Sequence, residues 1–284
     1  MKTILCATDL GESGATALAW AAAWARDTNA ELTLLHVDGG SHAPLEVPES
    51  MRAAAETLAA RLDGRRSEHE ASLNANLASL DLQCKLRIAT GRPWEATLQV
   101  ADELDADLIV VGPHASGLGS TARRIVTHAR RPVLVARGAA PTSLAGIRWV
   151  VGVPLGGGIP PLVAHVDAMA NASGGRLSLV RAVPVAGALF VETPVPNLVN
   201  QIRDSMIANL TTIAAQLSSP VDVHSDAGDA AFVLDEVAAE GDILALAAHE
   251  MGLLERLVLG SVTERVLRTS AHSVYIEPAA LSES

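Results

Sequence analysis

Leu259-Gly260-Ser261-Val262-Thr263-Glu264-Arg265-Val266-Leu267-Arg268 is the stretch that decides how this chain of 284 residues is organised. It has a counterpart in Gly119-Ser120-Thr121-Ala122-Arg123-Arg124-Ile125-Val126, which lies 141 residues earlier (260 − 119 = 141). Around that offset much of the chain repeats itself, which is typical of two copies of one domain in tandem. In both copies a Gly-Ser pair comes at the start of a predicted helix, where backbone N–H groups and the helix dipole favour a bound phosphate.

Five short apolar runs in each half are predicted strands, and stretches of helical composition separate them. The first half has its strands at 3–8, 32–37, 83–89, 108–111 and 133–136, and the second half at 149–153, 177–180, 221–224, 243–246 and 273–276. Strands that alternate with helices predict a parallel sheet with right-handed crossovers. The sequence therefore predicts two doubly wound α/β domains with parallel five-stranded sheets, over residues 1–138 and 146–284, joined by a linker at 137–146 that is rich in Ala, Gly, Pro and Ser.

Composition argues against several classes of protein. The net charge of −11 and the pI near 5.2 argue against a nucleic-acid partner, because phosphate backbones attract basic surfaces. No apolar run reaches the 18 residues of a membrane span, and the first residues lack the pattern of a signal peptide. The two cysteines, Cys6 and Cys84, have no metal-ligand spacing and are interpreted as small buried hydrophobes. We therefore expect a cytoplasmic protein without a membrane partner or a metal site.

A ligand of such a sheet binds beyond the carboxyl ends of its strands, where the strand order reverses. The residues that directly follow the first and fourth strands are therefore the candidates for a site. In the first copy these are Asp9, Gly112 and the turn Gly119-Ser120. Their counterparts in the second copy are Pro154, Ala247 and the turn Gly260-Ser261.

The chain resembles the universal stress proteins over nearly its whole length, as a tandem pair. Four passages carry the resemblance: 2–9 (KTILCATD), 30–37 (AELTLLHV), 106–112 (ADLIVVG) and 259–266 (LGSVTERV). The resemblance implies a flavodoxin-like α/β fold and, for one subclass of the family, ATP binding. In that subclass an Asp after the first strand contacts adenine, the chain after the second strand lines the base pocket, and a Gly-x2-Gly-x9-Gly-Ser/Thr loop wraps the ribose and phosphates. Carried over to this chain, the nucleotide-binding residues are Asp9, Val37, Gly112, Gly119, Ser120 and Thr121.

Both copies depart from the family's loop. In the first copy Ala115 stands where the second glycine is expected, and only three residues separate it from Gly119 where the pattern has nine. In the second copy the spacing is intact, but Ala247 and Glu250 replace two glycines, and a glutamate near a polyphosphate is repulsive. Pro154 replaces the adenine-contacting Asp and offers neither a carboxylate nor an N–H. We therefore expect ATP or AMP in the first copy and a degenerate site in the second.

Several residues have a second interpretation besides ligand binding. Asp9 could contact a base or only cap the loop and helix that follow it. Ser120 and Ser261 are expected to N-cap their helices, whether or not they also bind phosphate. His114 and His249 occupy matching loop positions, where a hydrogen-bonded histidine is commoner than a ligand contact. Arg123, Arg124, Arg130 and Arg131 form a basic face that is interpreted mainly as solvated.

Three function classes are compared. The first is a nucleotide-binding stress-response module without turnover, and the second is a nucleotide-free scaffold that dimerises through the edge strands at Val133 and Val274. The resemblance also implies that the two halves pair as a pseudo-twofold unit, and a homo-oligomer is expected otherwise. The third class, an ATP-hydrolysing enzyme, is disfavoured because the sequence offers no recognisable catalytic base or pair of metal-binding carboxylates. No catalytic residue is predicted.

Overall fold

A computed structural model describes residues 1–38, 82–113, 118–154, 158–183, 198–248 and 259–278, together with eight helical residues between 64 and 77. The first half contains β1 (Thr3–Thr8), α1 (Glu12–Thr28), β2 (Glu31–Asp38), β3 (Cys84–Thr90), α2 (Pro93–Glu103), β4 (Leu108–Val111), α3 (Ser120–His128) and β5 (Val133–Val135). The second contains β6 (Arg148–Gly152), α4 (Pro161–Ser173), β7 (Arg176–Val183), α5 (Leu198–Ala214), β8 (Val221–Ala227), α6 (Ala230–Val237), β9 (Ile243–Ala247), α7 (Ser261–Thr269) and β10 (Ser273–Glu277). All ten predicted strands are confirmed, with ends that shift by up to three residues.

The ten strands form one continuous sheet in the order β3-β2-β1-β4-β5-β10-β9-β6-β7-β8. Neighbouring strands are parallel within each half, so the predicted parallel arrangement of five strands per half is confirmed, although the two sets join in one sheet. The halves meet where β5 pairs antiparallel with β10, with Val135 opposite Val274 and Val133 opposite Ile276. The strands at Val133 and Val274 are therefore not open edges, because each uses the other as its partner. This internal pairing is the pseudo-twofold unit expected from the sequence.

Helices cover both faces of the sheet, which is why the strands are buried on both sides and do not alternate. One apolar layer joins the sheet to α1, α4 and α5, and the other joins it to α2, α3, α6 and α7. The Ala-rich stretch at 15–28 lies in α1, which begins at Glu12 and ends at Thr28, and the next residue, Asn29, has a left-handed conformation. Most of the helical composition predicted over 49–80 lies outside the described residues.

Aromatic side chains, which make up only 2% of the chain, are concentrated where the halves meet. Trp24 of α1 packs edge-on against Trp149 of β6, with ring centroids 5.9 Å apart. Trp149 in turn packs against Tyr275 of β10 at 5.7 Å. The linker is also held in place, because Asp27 of α1 accepts hydrogen bonds from the Ser143 hydroxyl and the Leu144 N–H. The junction is thus a packed core rather than a flexible connection.

Candidate functional site

A cavity of about 370 Å³ opens at the carboxyl ends of β1, β2 and β4 in the first half. Its wall includes the loop after β1 and the first turn of α3. The structure brings all six sequence-predicted residues to this cavity: Asp9, Val37, Gly112, Gly119, Ser120 and Thr121. These residues come from three strand ends and one helix start, so their meeting at one place is a consequence of the parallel topology.

The carboxylate of Asp9 organises the loop between β1 and α1. Its Oδ1 accepts the N–H of Gly11 at 3.0 Å, and its Oδ2 accepts the hydroxyl of Ser13 at 3.1 Å. The side chain remains exposed at the mouth of the cavity. Asp9 therefore acts as the local cap anticipated from the sequence, while its carboxylate oxygens stay accessible to a ligand donor.

Packing alone requires a glycine at position 112. A Cβ at this position would lie 2.1 Å from the carbonyl oxygen of Ser13, which is far inside contact distance. Gly14 is under a similar constraint, because its Cβ would lie 2.3 Å from the Oγ1 of Thr8. The absence of a side chain at Gly112 lets the start of α1 approach the end of β4, and its absence at Gly14 lets α1 approach the end of β1.

The helix starts differ from the prediction. The N-cap residues are Gly119 for α3 and Gly260 for α7, and neither helix has a side-chain cap. Ser120 and Ser261 are the first residues inside the helices, so the prediction that they are N-caps was wrong: the glycines already have the extended backbone that the cap position needs. The first N–H groups of α3 are left without a side-chain acceptor at the wall of the cavity, as an anion site requires.

The two helix starts have different charges. The first turn of α3 contains no acidic residue, whereas that of α7 contains Glu264. An acid in the first turn occupies the positive end of the dipole, and it repels a bound phosphate. Of the basic face next to α3, Arg123 pairs with Glu264, Arg131 pairs with Asp105, and the Arg124 guanidinium lies 5.7 Å from the Trp94 ring centroid. Three of its four arginines thus have structural partners, and none lines the cavity.

A larger cavity, of about 620 Å³, lies at the matching place in the second half. Pro154, Ala247, Gly260 and Ser261 line it, as predicted for the degenerate counterpart. Its surroundings are mainly apolar, and the hydroxyl of Thr263 is used internally, as a donor to the Ala247 carbonyl at 3.2 Å.

One matched pair of site residues was missed by sequence reasoning. His36 of β2 and Arg181 of β7 are related by an offset of 145 (181 − 36 = 145), the same offset that relates Asp9 to Pro154. His36 Nδ1 lies 3.1 Å from the Thr8 carbonyl oxygen, and Arg181 Nε donates to the Val153 carbonyl at 3.3 Å. Each side chain lines the cavity of its own half. The repeat offset was the signal that could have identified them.

Some predicted positions lie outside the described residues. These are His114 and Ala115 in the first half and His249 and Glu250 in the second.

The described part of the chain offers no recognisable metal site, since no three His, Cys, Asp or Glu side chains are grouped as they would be around an ion. Burial raises the pKa of Cys6 far above its usual value and that of Cys84 to about 11, so both thiols are protonated at neutral pH. They lack the thiolate character of a nucleophile. Within the described ranges, no helix is both long and apolar enough to cross a membrane.

Comparison with known proteins identifies the fold and the family. The model of the universal stress protein family matches residues 1–137 and again residues 160–277. The chain is similar in structure to a universal stress protein from Archaeoglobus fulgidus DSM 4304, with a TM-score of 0.64, 14% identity, and coverage of 96% of this chain and 97% of that one. A putative universal stress protein from Pseudomonas aeruginosa UCBPP-PA14 gives a TM-score of 0.64 at 17% identity, with coverage of 100% and 97%.

Comparison with curated proteins finds no significant match. The two solved structures show that the fold extends over the whole chain, and the family match falls separately on each half. The flavodoxin-like α/β fold implied by the sequence is therefore confirmed. This chain belongs to the universal stress protein family and carries two copies of its domain in tandem.

Proposed function

We propose that the chain is a stress-response binding protein that holds an adenine nucleotide, ATP or AMP, in the cavity of its first half. The observation that carries the proposal is the meeting of Asp9, Val37, Gly112 and the Gly119–Thr121 turn around one cavity. The Asp9 carboxylate would accept a hydrogen bond from the adenine base. The phosphates would lie at the start of α3, where the first N–H groups have no side-chain cap and the first turn has no acidic residue. Gly112 lets the start of α1 pack closely against the end of β4 at the wall of this cavity.

The second half would contribute structure rather than a second nucleotide. Pro154 supplies no acceptor side chain where Asp9 stands in the first half, and Glu264 lies in the first turn of α7. We also propose binding without turnover, because the first cavity has Asp9 as its one carboxylate among the described residues that line it. A cytoplasmic location and a homo-oligomeric state remain predictions, as do the domain limits 1–138 and 146–284.

The test is calorimetric titration of ATP and of AMP into the full chain. We expect about one nucleotide per chain and a loss of at least about tenfold in affinity for Asp9→Ala, a loss typical of one charge-assisted hydrogen bond. Pro154→Ala is the matched control at the equivalent position of the second half, and it should leave the affinity unchanged. Thermal unfolding of each variant separates loss of binding from loss of folding.

Two results would overturn this proposal. No heat up to millimolar concentrations of either nucleotide would favour the nucleotide-free scaffold, which would then have to act through surfaces other than the paired strands β5 and β10. Phosphate release that tracks the chain concentration and disappears in Asp9→Ala would instead establish hydrolysis.

A further inference from the structure

The charge next to the cavity differs between the two halves. In the first half the residue after β1 is the acid Asp9, and His36 of β2, which contacts the preceding Thr8, lines the same cavity. In the second half the equivalent positions are the uncharged Pro154 and the cation Arg181. The same two positions in the repeat thus provide a negative group in one cavity and a positive group in the other.

Arg181 is buried, with only 6% of its surface exposed. Its guanidinium donates to the Val153 carbonyl, to the Pro154 carbonyl at 2.7 Å and to the Asn209 side-chain oxygen at 2.8 Å. All three acceptors are neutral, and no carboxylate in the described part of the chain forms an ion pair with Arg181. The guanidinium has five N–H groups, so these bonds leave two of them available.

A buried cation without a counter-charge is unfavourable, because desolvation is not offset by an ion pair. Burial accordingly lowers the pKa of Arg181. Among the described residues that line this cavity, the other charged one does not supply the missing negative charge. Asp229 pairs with Arg265 and caps α6 through the Ala231 N–H, so its carboxylate is already used.

The rest of the cavity favours an apolar ligand body. Its volume of about 620 Å³ falls in the usual range for small-molecule sites. Side chains of Val153, Val180, Leu234, Leu246 and Val262 line it. Among the described residues that line it, Arg181 is the one cation, so a single compact anionic group fits the site better than a polyphosphate.

We propose that the cavity of the second half binds an organic carboxylate with an apolar body, whose carboxylate is attracted by Arg181 and whose body packs against the aliphatic side chains. This site is separate from the nucleotide cavity of the first half and does not depend on it. The ligand would supply the negative charge that the protein leaves out around Arg181.

The probe is 2-naphthoate, titrated into the full chain and followed by calorimetry, with 2-naphthylmethanol as the neutral compound of the same shape. We expect one naphthoate per chain, and binding of the alcohol that is weaker by about tenfold or more, as for the loss of a charge-assisted contact. Arg181→Gln should weaken the binding of naphthoate by a similar factor and leave the affinity for the alcohol unchanged. Arg181→Lys, which keeps the charge, should retain most of the affinity.

A second pair of variants keeps the test decisive if Arg181 is needed for folding. Ala182→Trp places a large side chain in the second cavity, and Val37→Trp does the same at the equivalent position of the first cavity (182 − 37 = 145). We expect naphthoate binding to be lost in Ala182→Trp and kept in Val37→Trp. The proposal is overturned if naphthoate does not bind at millimolar concentration, if the alcohol binds equally well, or if Val37→Trp abolishes binding.

Discussion

Arg123 and Glu264 occupy the same position in the two copies (264 − 123 = 141), and they form an ion pair with each other at 2.7 Å. A residue that contacts its own counterpart lies on the axis that relates two similar subunits. Two identical halves would place like charges together at this point. Because the halves belong to one chain, they have been free to diverge, and the axis position holds an arginine on α3 and a glutamate on α7.

Charge reversal at this axis provides the first prediction. Arg123→Glu places two glutamates together and should lower the free energy of unfolding by about 0.5 kcal/mol, since both side chains are about half exposed and screened. The double variant Arg123→Glu with Glu264→Arg should recover most of that loss. Urea unfolding of the wild type, both single variants and the double variant measures the coupling. A double variant that is no more stable than the worse single variant would show that the pair is not coupled.

A second difference between the two halves lies among the aromatic side chains where the halves meet. Tyr275 donates its hydroxyl to Glu277 Oε2 at 2.8 Å, and His165 Nδ1 lies 3.0 Å from both carboxylate oxygens of Glu277. Glu277 is buried at 2% exposure. The equivalent positions in the first half are Trp20, Leu134 and Ala136, which are apolar. The polar trio is therefore specific to the second half.

This trio predicts a pH dependence of stability. The hydrogen bond that His165 donates to the Glu277 carboxylate raises the pKa of His165 above its ordinary value of 6.5. A group whose pKa is raised by folding binds its proton more tightly in the folded state, so its stabilisation is complete below pH 6.5 and is lost as pH rises through the raised value. Burial and the Glu277 carboxylate raise the pKa of Tyr275 well above its ordinary value of 10.0, so Tyr275 stays neutral where His165 titrates.

Thermal or urea unfolding between pH 5 and 9, a range chosen to bracket histidine titration, measures this effect. The wild type should lose stability on the alkaline side of His165 titration. His165→Gln, which keeps a donor to Glu277 but cannot gain a charge, should flatten that part of the profile. Equal slopes for the two proteins would refute the assignment.

Gly112 gives the third prediction. Gly112→Ala forces its Cβ against the Ser13 carbonyl at 2.1 Å, so α1 or β4 must shift. Overpacking of this kind costs about 1–3 kcal/mol of unfolding free energy. The matched control is Ala247→Gly in the second half, where the chain already tolerates a methyl group; it should cost about 0.5–1 kcal/mol through backbone entropy. Equal losses in urea unfolding would mean that the close approach is not what requires glycine at 112.

The positions of the strands could be predicted from the sequence because buried parallel strands are short uninterrupted apolar runs. The run at 108–111, for example, is buried over its whole length as β4. The ends of β7 and β8 were harder to predict, because both strands continue three residues beyond their apolar runs. The positions around the first cavity could also be predicted, since parallel topology places the residues that follow β1, β2 and β4 at one edge.

Other features were not accessible from periodicity. The N-cap identity at Gly119 depends on a backbone conformation that a Gly-Ser pair does not specify. The contacts of His36 with Thr8 and of Arg181 with Val153 join residues 28 positions apart, at the ends of neighbouring strands. Such contacts follow from the register of β1 with β2 and of β6 with β7, which the apolar pattern alone does not fix.

The most direct test of the account is a crystal structure of the full chain grown with saturating ATP. We expect adenine beside Asp9 and Val37, phosphates at the first turn of α3, and no nucleotide between Pro154 and α7. Nucleotide in the second cavity, or in neither cavity at saturating concentration, would contradict the central claim that the first copy is the nucleotide-binding one.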